Sequence, residues 1–159
     1  MKTTVEQGRL TATSGSTNEQ ISFEVLDLGP FDNNRNDLQA LNDKGQRVGV
    51  SANPATGRIE AFSEESGVRD SLGTLGGSFS VARDVNNSGE IVGGSLTDGD
   101  TSFHGFLYRE KRLYDLNELL DTQAGWELIQ AFAINNNSEI LGIGSRDGND
   151  RIVLLRPKR

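Results

Sequence analysis

One pattern recurs three times along this chain of 159 residues and constrains it more than any other feature: an asparagine, a short turn of small polar residues, then an apolar strand interrupted by glycine. The segments read ALNDKGQRVGVS at 40–51, DVNNSGEIVGGS at 84–95 and AINNNSEILGIG at 133–144. Their anchors, Asn42, Asn86 and Asn135, stand 44 and 49 residues apart, and self-similarity at such spacing marks architectures built from one recurring supersecondary unit. A second match follows each: IEAFSEESGVRDSL at 59–72, HGFLYREKRLYDLN at 104–117 and, shortened, RIVLLRP at 151–157. Each unit therefore reads as strand, turn, strand, loop, strand, turn, strand.

The turn chemistry supports strands independently. Asn42 and Asn86 open tight turns through their side chains, and Gly45 and Gly89 supply the positive φ that a type I turn with a bulge requires. Ser138 stands where those glycines stand, so Asn137 or Ser138 must turn left-handed, and the third hairpin is expected to be the least regular. Gly49, Gly93 and Gly142 recur inside the following strand, where glycine weakens pairing unless something approaches closely; the recurrence predicts such an approach. Phe106 to Arg109 and Arg112 to Leu116 alternate with period two across Glu110 and Lys111, which predicts a hairpin. The leucine spacing of Tyr114 to Leu120 also suits a short helix, but the matched stretch Val68 to Leu75 holds Gly73 and Thr74, so the recurring pattern favours a strand.

Residues 1–20, rich in Thr, Ser, Gly and Gln, are expected to be a flexible tail, without the apolar core of a signal peptide. Residues 21–157 read as a single all-β domain with units at about 23–66, 67–112 and 113–157. Phe23 to Leu28 matches the fourth strand that the last unit lacks, so its pairing with Ile152 to Leu155 would cover two edges. Composition narrows the function. The absence of cysteine excludes disulfides and thiolate metal sites, and no apolar run is long enough to cross a membrane as a helix. A net charge of −7 with no basic patch argues against nucleic acid. Nineteen glycines against three prolines suit many tight turns.

At Asp70 to Leu75, Gly76-Gly77-Ser78, Val85-Asn86, Gly89, Ile91-Val92-Gly93 and His104-Gly105-Phe106-Leu107-Tyr108 the chain resembles the HAF repeat family, bacterial repeats named for a His-Ala-Phe tripeptide and described as probable extracellular repeats. The second unit carries most of the likeness; Glu60-Ala61-Phe62 and Ile152-Val153-Leu154 fill the tripeptide place in the others. The resemblance implies one β-propeller-like blade per repeat, an extracellular setting, and no catalytic residues to transfer. Three blades are fewer than a propeller closes with. Either two chains complete a six-bladed ring, closed by dimerisation or by the N-terminal strand, or the strands form a threefold β-trefoil or β-prism.

Candidate chemistry is sparse. His104, the only histidine, fills a register held elsewhere by Glu60 and Ile152, which points to a structural role. Asp98, Asp100, Asp147 and Asp150 lie in equivalent Asp-Gly turns; they are weak calcium candidates without the terminal Glu of an EF-type loop. Gly73 to Ser78 lacks the lysine of a phosphate-binding loop, and the sequons at Asn86 and Asn136 fall in the hairpin turns. The connections between units each carry one aromatic residue, Phe31, Phe79 or Trp126, and with Arg35 these are the ligand-binding candidates. The expectation is a non-catalytic repeat module for protein or glycan binding and for self-assembly, without a cofactor. A carboxylate-dependent hydrolase on an all-β scaffold is the rival.

Overall fold

The computed structural model describes residues 21–28, 37–121 and 124–158. Residues 21–28 form a unit apart and carry neither helix nor strand. The remainder is all-β. Strands β1 (Asp37–Leu41), β2 (Arg47–Asn53), β3 (Arg58–Glu65) and β4 (Val68–Gly73) form an antiparallel meander. A second meander runs through β5 (Gly76–Val85), β6 (Ile91–Thr97), β7 (Phe103–Arg109) and β8 (Arg112–Asp115), and a third through β9 (Glu127–Ile134), β10 (Ile140–Arg146) and β11 (Asn149–Leu155).

Three expectations need correction. The strands do not form three separate four-stranded units: Ile59 on β3 bridges Phe79 on β5 in parallel, joining the first two meanders into one open eight-stranded sheet, while the third meander is a sheet of three. Neither sheet closes. Nor is the expected pairing of Phe23–Leu28 with Ile152–Leu155 made: residues 21–28 have no strand, and among the described residues β11 pairs only with β10. The match of Phe23–Leu28 to Val68–Leu72 rested on alternating residues, and β-propensity specifies a strand only where a partner edge is offered; β4 has that edge in β3. Third, Leu116–Leu119 is a helical turn, α1, rather than the end of a strand. Asp115 caps it by accepting from the Asn117 N–H, and Leu116 is buried beneath it, so local spacing prevails over the pattern of the first meander.

The recurring glycines are explained by register. Leu38 faces Gly49, Ala82 faces Gly93 and Ala131 faces Gly142, and beside each pair the first strand carries a bulge. The bulge tips one carbonyl across the partner strand: a Cβ at Gly49, Gly93 or Gly142 would collide with the backbone oxygen of Asp37, Val81 or Gln130. Two apolar clusters lie between successive meanders. Val48, Ala61 and Leu72 meet Ala82, Val85 and Ile91 of the second meander, whose Val92 in turn meets Leu128, Ala131 and Ile134 of the third. Each large aliphatic side chain so buried contributes about 1.5–3 kcal/mol.

Candidate functional site

The three asparagine turns, assigned from sequence only as turn formers, bond to one another. Asn42 Nδ2 donates to the Asn86 carbonyl at 3.0 Å, and Asn86 Nδ2 donates to the Asn135 carbonyl at 3.1 Å. Beside this row runs a second: the Asp43 N–H donates to Asn87 Oδ1 at 3.0 Å, and the Asn87 N–H to Asn136 Oδ1 at 2.8 Å. Within each turn the asparagine Oδ1 accepts two backbone N–H groups, and Nδ2 reaches the side chain four residues on, Gln46, Glu90 or Glu139. The spacings of 44 and 49 residues were the signal for this ladder, because they place one amide at the same point of each meander. The third hairpin proves no less regular than the others. Its turn bonds are the same, Ser138 takes φ of 58°, and the Ser138 hydroxyl donates to the buried carboxylate of Glu90 in the neighbouring turn. An open polar cleft of about 320 Å³ lies here, lined by Ser88, Glu90, Arg109, Glu110 and Ser138.

The outer face of the three-stranded sheet is apolar, and among the described residues nothing covers it. Leu141 pairs with Leu154 and Ile143 with Ile152 across β10 and β11. On the second meander the corresponding pairs are Val92 with Leu107 and Gly94 with Gly105, and β9 packs over them: a Cβ at Gly105 would stand 3.1 Å from Leu128 Cδ2 and 3.2 Å from the Ala131 nitrogen. Val92 is wholly buried there. By contrast Leu141 is 44% exposed, Leu154 49% and Ile152 82%.

The residues singled out from sequence are placed less compactly. Phe31 and Arg35 lie outside the described residues. Phe79 sits within β5 rather than in a connection, half-buried, its ring 6.3 Å from that of Phe103. Trp126, also half-buried, precedes β9 and lies against Gly144, with the Arg146 guanidinium 5.7 Å from its ring centroid. The partners of Phe79 and Trp126 differ, Phe103 for the one and Gly144 with Arg146 for the other.

His104 is held between carboxylates on two meanders: Nδ1 lies 2.7 Å from Asp115 Oδ2, and Nε2 lies 3.4 Å from Glu127 Oε1. Glu60 takes the same register on β3 and is buried, accepting from Asn53, Thr56 and Ser71, the last at the position matching Asp115. Burial pushes the Glu60 carboxyl upward, but these hydrogen bonds, with the Arg58 charge, outweigh it and hold the group below the ordinary glutamate range. Glu64 is held low in the same sense, burial being outweighed by hydrogen bonds and charge from Arg69 and Arg47. Of the aspartates, Asp100 accepts from the Ser78 hydroxyl and N–H, both at 2.7 Å, which lowers its carboxyl. Asp98 and Asp100 belong to a 3-10 turn between β6 and β7, and Asp147 and Asp150 to the β10–β11 hairpin; among the described residues no group of three potential metal ligands converges. Family models, curated proteins and solved structures offer no match to this chain.

Proposed function

We propose that the chain is a non-catalytic interaction module, built of stacked β-meanders resembling HAF repeats, one blade-like unit to each meander, that binds protein or glycan surfaces and assembles with its own kind. The observation that supports it is the uncovered outer face of β9–β11, where Leu141, Ile152 and Leu154 stand in water although the register-matched positions of the second meander are covered. A contiguous apolar patch on one sheet face is the property that protein-binding surfaces share. A sugar would find a different platform in Trp126 with Arg146 above its ring.

The test is surface-based binding of the full chain to a glycan array and to immobilised copies of itself, with Ile152→Glu as the control. Binding to either that falls at least tenfold in the variant supports the reading. No binding to either, or binding untouched both by Ile152→Glu and by Trp126→Ala, overturns it. The rival, a carboxylate-dependent hydrolase, has its support in the pairing of Asp115 and Glu127 around His104. Turnover of a panel of glycoside and ester substrates, abolished by Asp115→Asn, would favour the rival.

A further inference from the structure

We propose that the outer face of the three-stranded sheet takes a second copy of this chain, seated head to tail through the start of its first meander. The proposal deepens the interaction reading and rests on it. The structure offers both halves of the joint. At the boundary between the first and second meanders, and again between the second and third, the covering strand presents residues at two fixed registers: Ala82 and Val85 on β5, opposite Gly93 and Ile91, and Ala131 and Ile134 on β9, opposite Gly142 and Ile140. All four are buried against the preceding meander. The same registers on β1 are Leu38 and Leu41, opposite Gly49 and Arg47, and they are 47% and 71% exposed. Among the described residues the first meander thus has a covering strand with nothing to cover, and the third has a face with nothing over it.

The ladder ends complement each other in the same sense. In the two rows the asparagine amides and the backbone N–H groups donate forward, while Asn87 Nδ2 and the Ser138 hydroxyl donate back, so the third turn is left with donors: Asn135 Nδ2 has one hydrogen committed to Glu139, and the Asn136 N–H has no partner among the described residues. The first turn is left with an acceptor. Asp43 stands where Asn87 and Asn136 stand; one carboxylate oxygen accepts from Asn87 Nδ2 at 2.7 Å, and the other accepts from none of the described residues. The Asn136 N–H of one copy and the Asp43 carboxylate of the next would repeat the bond that Asn87 makes to Asn136, now charge-assisted. Such an interface is heterologous, each copy using two different surfaces, so it either closes into a ring or runs on.

Light scattering and sedimentation of the full chain decide it, with one variant for each surface. Ile152→Glu spoils the outer face and Leu41→Glu spoils the covering strand; both sites are exposed in a single copy, and far-UV circular dichroism verifies that each variant folds. The wild type is expected to exceed the 17.2 kDa of one chain, with a mass that rises with concentration. Each variant alone should stay at the single-chain mass. Mixed in equal amounts, the two variants should recover a pair of twice that mass, since each retains the surface that the other has lost. A wild type that remains at one chain's mass at every concentration overturns the proposal, and so does self-association that Ile152→Glu abolishes while Leu41→Glu leaves it intact, which would mean face-to-face pairing. If the wild type is monomeric but binds glycans, the interaction reading stands and the second copy falls; if it binds nothing, both fall.

Discussion

A methyl group added at Gly93 would land on the Val81 carbonyl oxygen and 2.9 Å from the Phe106 ring, and neither can retreat, one being backbone in a paired strand and the other wholly buried. Gly99 differs: its only neighbour within reach is the Thr101 methyl at 3.7 Å, and its cost comes from φ of 66°. Gly93→Val is therefore expected to lose about 3 kcal/mol or more, and Gly99→Ala about 1 kcal/mol. Urea midpoints measure both, and equal losses would mean that the bulge relaxes around the new side chain. The glycine recurrence was legible because it follows from one steric event repeated. The reason for it, the bulge, was not, since a bulge is made by the partner strand. Glu60 gives a second residue-scale expectation. Its folded carboxyl titrates below the ordinary range, so the unfolded chain binds the proton more readily and stability falls as pH drops. The contribution is whole above the ordinary glutamate range and is lost as pH falls through the lowered value. Between about pH 6 and about pH 3 the urea midpoint of Glu60→Gln should decline less steeply than that of the wild type. Parallel declines would show that Asn53, Thr56 and Ser71 do not select the anion.

At the scale of the element, the hairpin turn is the unit that joins one meander to the next. Asn86 stands in the middle of the ladder, buried, accepting from Asn42 and donating to Asn135 while its Oδ1 closes its own turn. Asn135, at the ladder's end, is exposed and forms the same turn bonds with nothing beyond. Asn86→Ala is expected to cost about 3 kcal/mol, because its own buried turn and the Asn135 carbonyl of the next lose their bonds together, whereas Asn135→Ala should cost about 1 kcal/mol. Equal losses in denaturant would mean that each turn acts alone and that the ladder bonds add nothing. The strand content and the hairpins were legible from four-residue turns opened by asparagine and from period-two alternation, both of which act within a few residues. The helical turn at Leu116 was misread because a pattern borrowed from Val68–Leu75 was set above a local cap. The merging of two meanders through Ile59 and Phe79 left no trace in sequence, since one bridge between distant strands needs no special residue.

For the whole molecule, the two sheets differ in how much they bury. The eight-stranded sheet holds Val48, Val92 and Phe106 wholly buried and is overlaid in part by β9. The three-stranded sheet buries one face and leaves Leu141, Ile152 and Leu154 in water on the other, so its strands gain less apolar burial for each residue ordered. Its ties to the rest include side-chain packing, the two rows of turn bonds, the contacts of Ser138 with Glu90 and of Glu127 with His104, the Ile134 N–H that donates to Asp84 Oδ2 at 2.8 Å, and the Asn117 side chain, which donates to the Leu128 carbonyl at 3.0 Å and accepts from the Leu128 N–H at 2.6 Å. No ladder of strand pairing joins the two sheets. Such an element sits at the low end of the stability range within a fold and opens first. Trp126, the only tryptophan, lies against Gly144 of β10 and so reports on this sheet, while the far-ultraviolet signal reports on all the strands. At concentrations low enough to hold the chain as single copies, Trp126 fluorescence is expected to lose its native signal at lower urea than circular dichroism does, and Asn117→Ala should widen the gap by loosening the three-stranded sheet alone. Association that covers Leu141 and Ile152 should narrow it by raising the fluorescence midpoint with protein concentration, an effect absent in Ile152→Glu. Coincident transitions in both wild type and Asn117→Ala would show instead that packing across β9 couples the sheets into one cooperative unit.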